Sequence, residues 1–126
     1  MKAVLVDTDV LIEVLRARDP GILSEWRQLG GSDDPVCFSP ITAAELWHGA
    51  RKQEEATIQR LLSALICIPV DAEIGRCAGE YLRRFRASHG TELADAVMAA
   101  TARIHDCRFW TRNRKHYPMR DIHLFR

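Results

Sequence analysis

Apolar positions along the chain fall into short continuous runs separated by helical stripes. Residues 2–6, "KAVLV", form an aliphatic, β-branched run that stops at Asp7, which predicts a buried strand. Residues 9–18, "DVLIEVLRAR", then carry a helical pattern, with Asp9 placed to cap it and Asp19-Pro20-Gly21 to close it. Ile22, Leu23, Trp26 and Leu29 recur at helical spacing, and "GGSDDP" reads as a loop. "VCFS" is a second strand, "TAAELWHGARKQ" a helix starting just past Pro40, and residues 54–64 a further helix leading to the strand-like "LICIPV". Asp71 caps a helix with Ile74, Ala78, Leu82 and Phe85 on its inner face. After "SHGTE" comes "LADAVMAATAR", small and apolar almost throughout, then "CRFWT" as a strand, a turn at "RNRKHYP" and a last strand, "IHLF".

Strands alternating with helices in this way predict an α/β fold with a mainly parallel central sheet covered on both faces. At 126 residues the chain is expected to be one domain, residues 1–126, with no repeat or linker. Hydrophobic residues make up 47% and charged residues 28%, the balance of an ordinary globular chain, and no apolar run is long enough for a membrane span. The opening residues meet acid too early for a signal peptide, and Cys37, Cys67, Cys77 and Cys107 lack metal or redox spacing. Buried free thiols in a cytoplasmic protein are therefore expected.

Ligands of parallel α/β sheets gather beyond the carboxyl ends of the strands, where the strand order reverses. Asp7 ends the first strand, Glu45 begins the helix after the second, and Thr111 to Asn113 follow the fourth, so these are expected at one end of the sheet. Each acid also has a structural alternative. Asp7 could cap the first helix, but one cap suffices and Asp9 is better placed, which leaves Asp7 free. Thr42 to Glu45, "TAAE", matches a capping box, and taken alone that reading is the stronger one for Glu45. Asp95 could stabilise a helix start, yet Glu92 already supplies that charge, and no Arg or Lys lies between Glu92 and Ala102. Its partner must come from elsewhere in the fold or be a metal. Three carboxylates from separate elements form a good ligand set for a hard cation such as Mg²⁺, which keeps waters that can attack a phosphoryl group.

Net charge is only +1, but Arg108, Arg112, Arg114, Lys115, His116 and Arg120 cluster near the end of the chain with Trp110 and Tyr117 interleaved. A solvated edge is the commoner fate of such a run. Its place after a strand at the acidic end points instead to RNA, held by basic side chains and aromatic stacking.

With "VLVDTDVLIEVLR", "SPITAAELWHGAR", "ELADAVMAATAR" and "FWTRNRKHY" in this order, the chain resembles PIN-domain ribonucleases, and more narrowly the VapC toxins of bacterial toxin–antitoxin pairs. The resemblance implies a three-layer α/β/α fold and Mg²⁺- or Mn²⁺-dependent endonucleolytic cleavage of RNA, often tRNA or ribosomal RNA. It places the family's three metal-holding acids on Asp7, Glu45 and Asp95, its fourth polar position on Asn113 where an Asp is common, and the associated hydroxyl on Thr111. Arg112, Arg114, Lys115 and His116 then become RNA-binding residues. A homodimer inhibited by a VapB-type antitoxin is also implied, with Trp26, Leu46 or Trp47 as exposed apolar contacts where they are not core. Two rivals stand beside it. One is a catalytically silent RNA-binding PIN domain, which the neutral Asn113 favours. The other is a haloacid-dehalogenase-type phosphatase, whose first motif "VLVDTDVL" resembles. Against the second stand Leu11 in place of Thr or Val, the short chain and the absence of the later Lys and paired-Asp motifs.

Overall fold

The computed structural model describes residues 3–125, and Lys2, the first residue of the expected opening strand, lies outside them. Five strands, β1 (Val4–Val6), β2 (Val36–Phe38), β3 (Ile66–Cys67), β4 (Arg108–Trp110) and β5 (His123–Leu124), form one sheet in the order β3-β2-β1-β4-β5. All four neighbouring pairs are parallel, with Leu5 opposite Cys37 on one side and Phe109 on the other. The chain builds outward from β1 through β2 to β3, then returns to the other side of β1 for β4 and β5. The reversal falls between β1 and β4. At that junction the Asp7 amide donates to the Trp110 carbonyl at 2.8 Å.

Alternating side chains divide the interior into two cores. Leu5, Cys37 and Phe109 face α5 (Ala72–His89) and α6 (Leu93–Ile104), packing on Ile74, Ala78, Tyr81 and the alanines of α6. Val4, Val6, Phe38 and Trp110 face the other way. There they meet α1 (Thr8–Arg16), α2 (Pro20–Gly30), α3 (Pro40–His48) and α4 (Glu55–Ser63) through Val10, Leu11, Leu29, Leu46, Ile58 and Leu62. The result is the three-layer α/β/α arrangement expected, with a wholly parallel sheet. Among the described residues no helix is long and apolar enough to cross a membrane.

Several local expectations shift. Asp7, not Asp9, caps α1, its carboxylate accepting from the Thr8 amide. Asp19 opens α2 with Pro20 in the first turn, where a proline's missing N–H costs nothing, instead of closing α1. Helix α3 begins at Pro40 with Ser39 as its cap, so Thr42 is an interior position and "TAAE" is no capping box. The cysteine expectation holds for Cys37, Cys77 and Cys107, but Cys67 on the edge strand β3 is exposed. Leu93, at the start of the helix read as buried, is 61% exposed, because burial in α6 runs only from Ala96 to Ala102.

The alanines of α6 let it lie close against α5 and the sheet, and Ala99 is fully buried. Ala99→Leu is expected to lower stability by about 1–3 kcal/mol through overpacking, read as a lower urea midpoint. An unchanged midpoint would mean that this seam has room to spare.

Candidate active site

Asp7 sits where β1 gives way to α1, so its two oxygens serve different masters. Oδ1 accepts from the Thr8 amide at 2.8 Å and caps the helix. Oδ2 accepts from the Thr111 hydroxyl at 2.8 Å and the Tyr117 hydroxyl at 3.0 Å, groups more than a hundred residues away. Capping α1 is thus compatible with a place in the cavity, since one oxygen caps the helix and the other meets Thr111 and Tyr117. Thr111 follows β4 directly and is itself fixed, its Oγ1 accepting from the Asn113 amide at 3.0 Å.

Asp95 lies in the first turn of α6, and its partners come from the C-terminal stretch. Oδ1 accepts from the Tyr117 hydroxyl at 3.3 Å, and Oδ2 lies 3.7 Å from His116 Nδ1. Glu45, on α3, accepts from the Thr8 hydroxyl at 2.7 Å, and the same hydroxyl stands 2.9 Å from Thr42 Oγ1. Asp7, Glu45, Asp95 and Asn113 all line one cavity of about 220 Å³. No Lys or Arg among the described residues lines it. A second hollow of about 250 Å³ shares Glu45, Asp95 and His116 with the first and extends past His89, Gly90 and Thr91 at the end of α5.

Electrostatics follow from this crowding. Burial raises the Asp7 carboxyl above its ordinary range, against the bonds from Thr111, Thr8 and Tyr117 that favour the anion, and the Asp95 charge adds to the rise. Burial also raises Asp95, with His116 and the Tyr117 hydroxyl working the other way. Asp9 is pushed up to about 6 by burial and then by the Asp7 charge. One oxygen of Asp9 accepts from the Arg112 amide at 3.1 Å, while the other is buried with no hydrogen-bond partner among the described residues.

The donor set is one of hard oxygens, the kind that Mg²⁺ and Mn²⁺ take. As placed, Asp7 and Asp95 face each other across the Tyr117 hydroxyl while Glu45 is turned onto Thr8. Among the described residues no three His, Cys, Asp or Glu side chains close on one point. Two carboxylates with the remaining positions held by water satisfy Mg²⁺. The residues would therefore fit a cation held by Asp7 and Asp95, with Glu45 on the same cavity wall.

The basic stretch divides. Arg114 and Lys115 are exposed, in a one-turn 3-10 segment beside the cavity, and His116 reaches the cavity itself. Arg112 is tied to Glu13 at 3.2 Å and lies 3.9 Å from Asp19. Arg108 belongs to the other end of the sheet, where it pairs with Asp34 at 2.8 Å. The aromatic residues do not offer stacking faces. Trp110 is buried against Phe125 and Trp26, and Tyr117 is buried edge-on to Phe109. Sequence reading missed the hydroxyls of Thr8 and Tyr117 as site groups. Alternation in β4 offered a faint signal, since it sends Phe109 toward the α5/α6 core, where Tyr117 packs on it.

A family model described as "PIN domain" matches residues 4–121. The chain is 38% identical over 119 residues to "Ribonuclease VapC10" of Mycobacterium tuberculosis, covering 92% of this chain and 86% of that one. It is 32% identical to "Ribonuclease VapC19" of the same organism, covering 91% and 92%. Among solved structures, FitAcB from Neisseria gonorrhoeae superposes with a TM-score of 0.76 at 27% identity, covering 98% and 96% of the two chains. VapBC2 from Rickettsia felis, bound to a promoter DNA fragment, gives 0.81 at 20% identity, covering 98% and 97%. The chain belongs to the PIN-domain family, in its VapC ribonuclease branch. The haloacid-dehalogenase reading of residues 4–11 falls with that assignment.

The raised carboxyls have a measurable consequence. Between the ordinary aspartate value of 3.8 and about 6, the folded chain holds protons that the unfolded chain has released, so stability falls as pH rises through that window. Without metal, the unfolding temperature is expected to rise as pH is lowered from about 7 to about 5, and Asp9→Asn to flatten the rise. A flat or opposite trend in the unmodified chain would contradict the burial assigned to these groups.

Proposed function

We propose that this chain is a divalent-metal-dependent endoribonuclease, the toxin of a VapBC-type pair, hydrolysing phosphodiester bonds in RNA, with tRNA or ribosomal RNA as the substrate class. One observation carries the reading: the half-buried Asp7 and Asp95 carboxylates share the Tyr117 hydroxyl in a solvent-open cavity with Glu45 on its wall, and among the described residues no Lys or Arg lines it, only His116. Such a pair is costly to keep without a cation.

In this reading Asp7 and Asp95 would hold the ion, with Glu45, which accepts from the Thr8 hydroxyl, as the further carboxylate of the same cavity. Bound there, Mg²⁺ or Mn²⁺ supplies Lewis-acid polarisation of a phosphoryl oxygen and a water of lowered pKa. Thr111 keeps Asp7 in one rotamer, so the carboxylate does not reorient when substrate arrives. Asn113 presents a neutral amide to the cavity, able to orient the attacking water or a phosphate oxygen but a weak ligand for a second ion. Arg114 and Lys115 hold the RNA backbone beyond the cavity mouth, and His116 lies between them and Asp95. Arg112 acts mainly by tying the loop after β4 to Glu13, with half of its side chain left for phosphate.

The antitoxin partner rests on the relatives' VapC names and on structural neighbours that are toxin–antitoxin complexes. A homodimer is part of the same reading. Trp47 on α3, 39% exposed, is available for such contacts, whereas Leu46 is buried in the core and Trp26 packs on Trp110.

Purified protein incubated with a mixed tRNA and ribosomal RNA pool is expected to give discrete fragments with Mg²⁺ or Mn²⁺ and none with chelator. Asp95→Asn should fall to the chelator background while keeping its fold, since the substitution relieves repulsion. Fragments produced by the Asp95→Asn variant at the unmodified rate would remove Asp95 from the mechanism. RNA bound but uncut under every metal condition would favour the silent RNA-binding alternative.

A further inference from the structure

Tyr117 is an unusual neighbour for two acids. Its ring belongs to the core, 7% exposed and set edge-on to the fully buried Phe109 with ring centroids 4.7 Å apart. Its backbone amide is held by the Arg114 carbonyl at 3.0 Å. Packing therefore decides where the hydroxyl stands, and it stands between Asp7 Oδ2 at 3.0 Å and Asp95 Oδ1 at 3.3 Å. Among the described residues it is the one group that hydrogen-bonds both carboxylates.

A phenol carries a single proton. With both carboxylates ionised that proton serves one of them, and the other faces the oxygen's lone pairs. The Thr111 hydroxyl gives Asp7 a second donor on the same oxygen, while among the described residues Asp95 has no second hydroxyl and only the His116 ring 3.7 Å from its other oxygen. Two anions are thus gathered around one hydroxyl with less positive charge than they need. We propose that Tyr117 is a positioning residue of the acidic site, its core-delivered hydroxyl setting the spacing of Asp7 and Asp95 for one shared divalent cation. The inference rests on the metal reading given under Proposed function.

Removing the hydroxyl has two opposed effects. Losing a donor leaves both carboxylates more basic, which favours a cation. Losing the bridge lets them part toward water, and the ion must then gather them again. Groups that hydrogen-bond and orient metal ligands are typically worth roughly 10–100-fold in metal affinity, so the second effect wins.

The test measures Mn²⁺ binding to metal-free protein without RNA, by calorimetry and by the paramagnetic resonance of free Mn²⁺. Tyr117→Phe keeps the ring on Phe109 and is expected to bind roughly 10–100-fold more weakly. Tyr81→Phe serves as control, because the Tyr81 hydroxyl bonds Asp121 at 2.7 Å, away from the site. Its affinity should be unchanged. A second readout needs no variant. The chain has two tyrosines, so ¹³Cζ-tyrosine labelling gives two resonances, and titration with Mg²⁺ should move that of Tyr117 while leaving Tyr81 in place.

If Asp95→Asn weakens Mn²⁺ binding but Tyr117→Phe does not, the positioning role is overturned and the metal reading stands. A Tyr117 resonance that stays fixed while Mg²⁺ saturates the site overturns it equally, whatever becomes of the variant's fold. If the unmodified chain and Asp95→Asn bind Mn²⁺ alike, the metal reading falls and takes the inference with it.

Discussion

Two carboxylates drawn from distant parts of the chain share a hydroxyl at the carboxyl edge of a parallel sheet, and little else near them makes sense without that juxtaposition. Asp7 comes from the end of β1 and Asp95 from the start of α6, while Tyr117 arrives from beyond β4. Folding brings the three together because β4 pairs beside β1, which places their carboxyl ends next to each other. Building the sheet outward in one direction would have separated them. The reversal of strand order is thus what gathers scattered acids into one candidate site.

Such a site strains the fold that makes it. Burial lifts the carboxyls of Asp7, Asp9 and Asp95, so near neutral pH the folded chain keeps charges that water would hold more cheaply. Hydrogen bonds to the anions offset part of this, and their donors are mostly second uses of structural groups. The Thr8 amide is a helix end, and the Thr111 hydroxyl begins the loop after β4. Tyr117 is a core ring with a polar tip. The same economy explains why Asp7 can be both helix cap and candidate ligand. An N-cap needs one oxygen and leaves the other free.

Basic residues near the site divide by role in a way their numbers conceal. Arg108 and Arg112 answer acids of the scaffold, Asp34 and Glu13, and hold the two ends of the β4 region in place. Arg114 and Lys115 stand on the surface beside the cavity, and the hollow leading past His89 continues the cavity along the end of α5. Acid within and base at the mouth is an arrangement suited to a phosphodiester: the basic side chains would draw in the backbone, and the acids would hold the proposed cation.

Sequence alone determined the order of elements, the parallel sheet and the family, because each of these is written in local periodicity or in motifs short enough to read along the chain. It also marked Asp7, Glu45, Asp95, Thr111 and Asn113, since strand ends and helix starts are visible as breaks in pattern. What it could not supply was the partner of each group. Reading along the chain offered Asp9 as the cap and Thr42 with Glu45 as a capping box beside Glu45's reading as a ligand, whereas Asp7 and Ser39 are the caps. It also offered Trp110 and Tyr117 as surfaces for RNA. Only tertiary structure turned Trp110 into core and aimed the Tyr117 hydroxyl at two acids. The reason is physical: a hydrogen bond depends on distances of about 3 Å, and the chain separations here, from Asp7 to Thr111 and Tyr117, are set by sheet pairing and core packing.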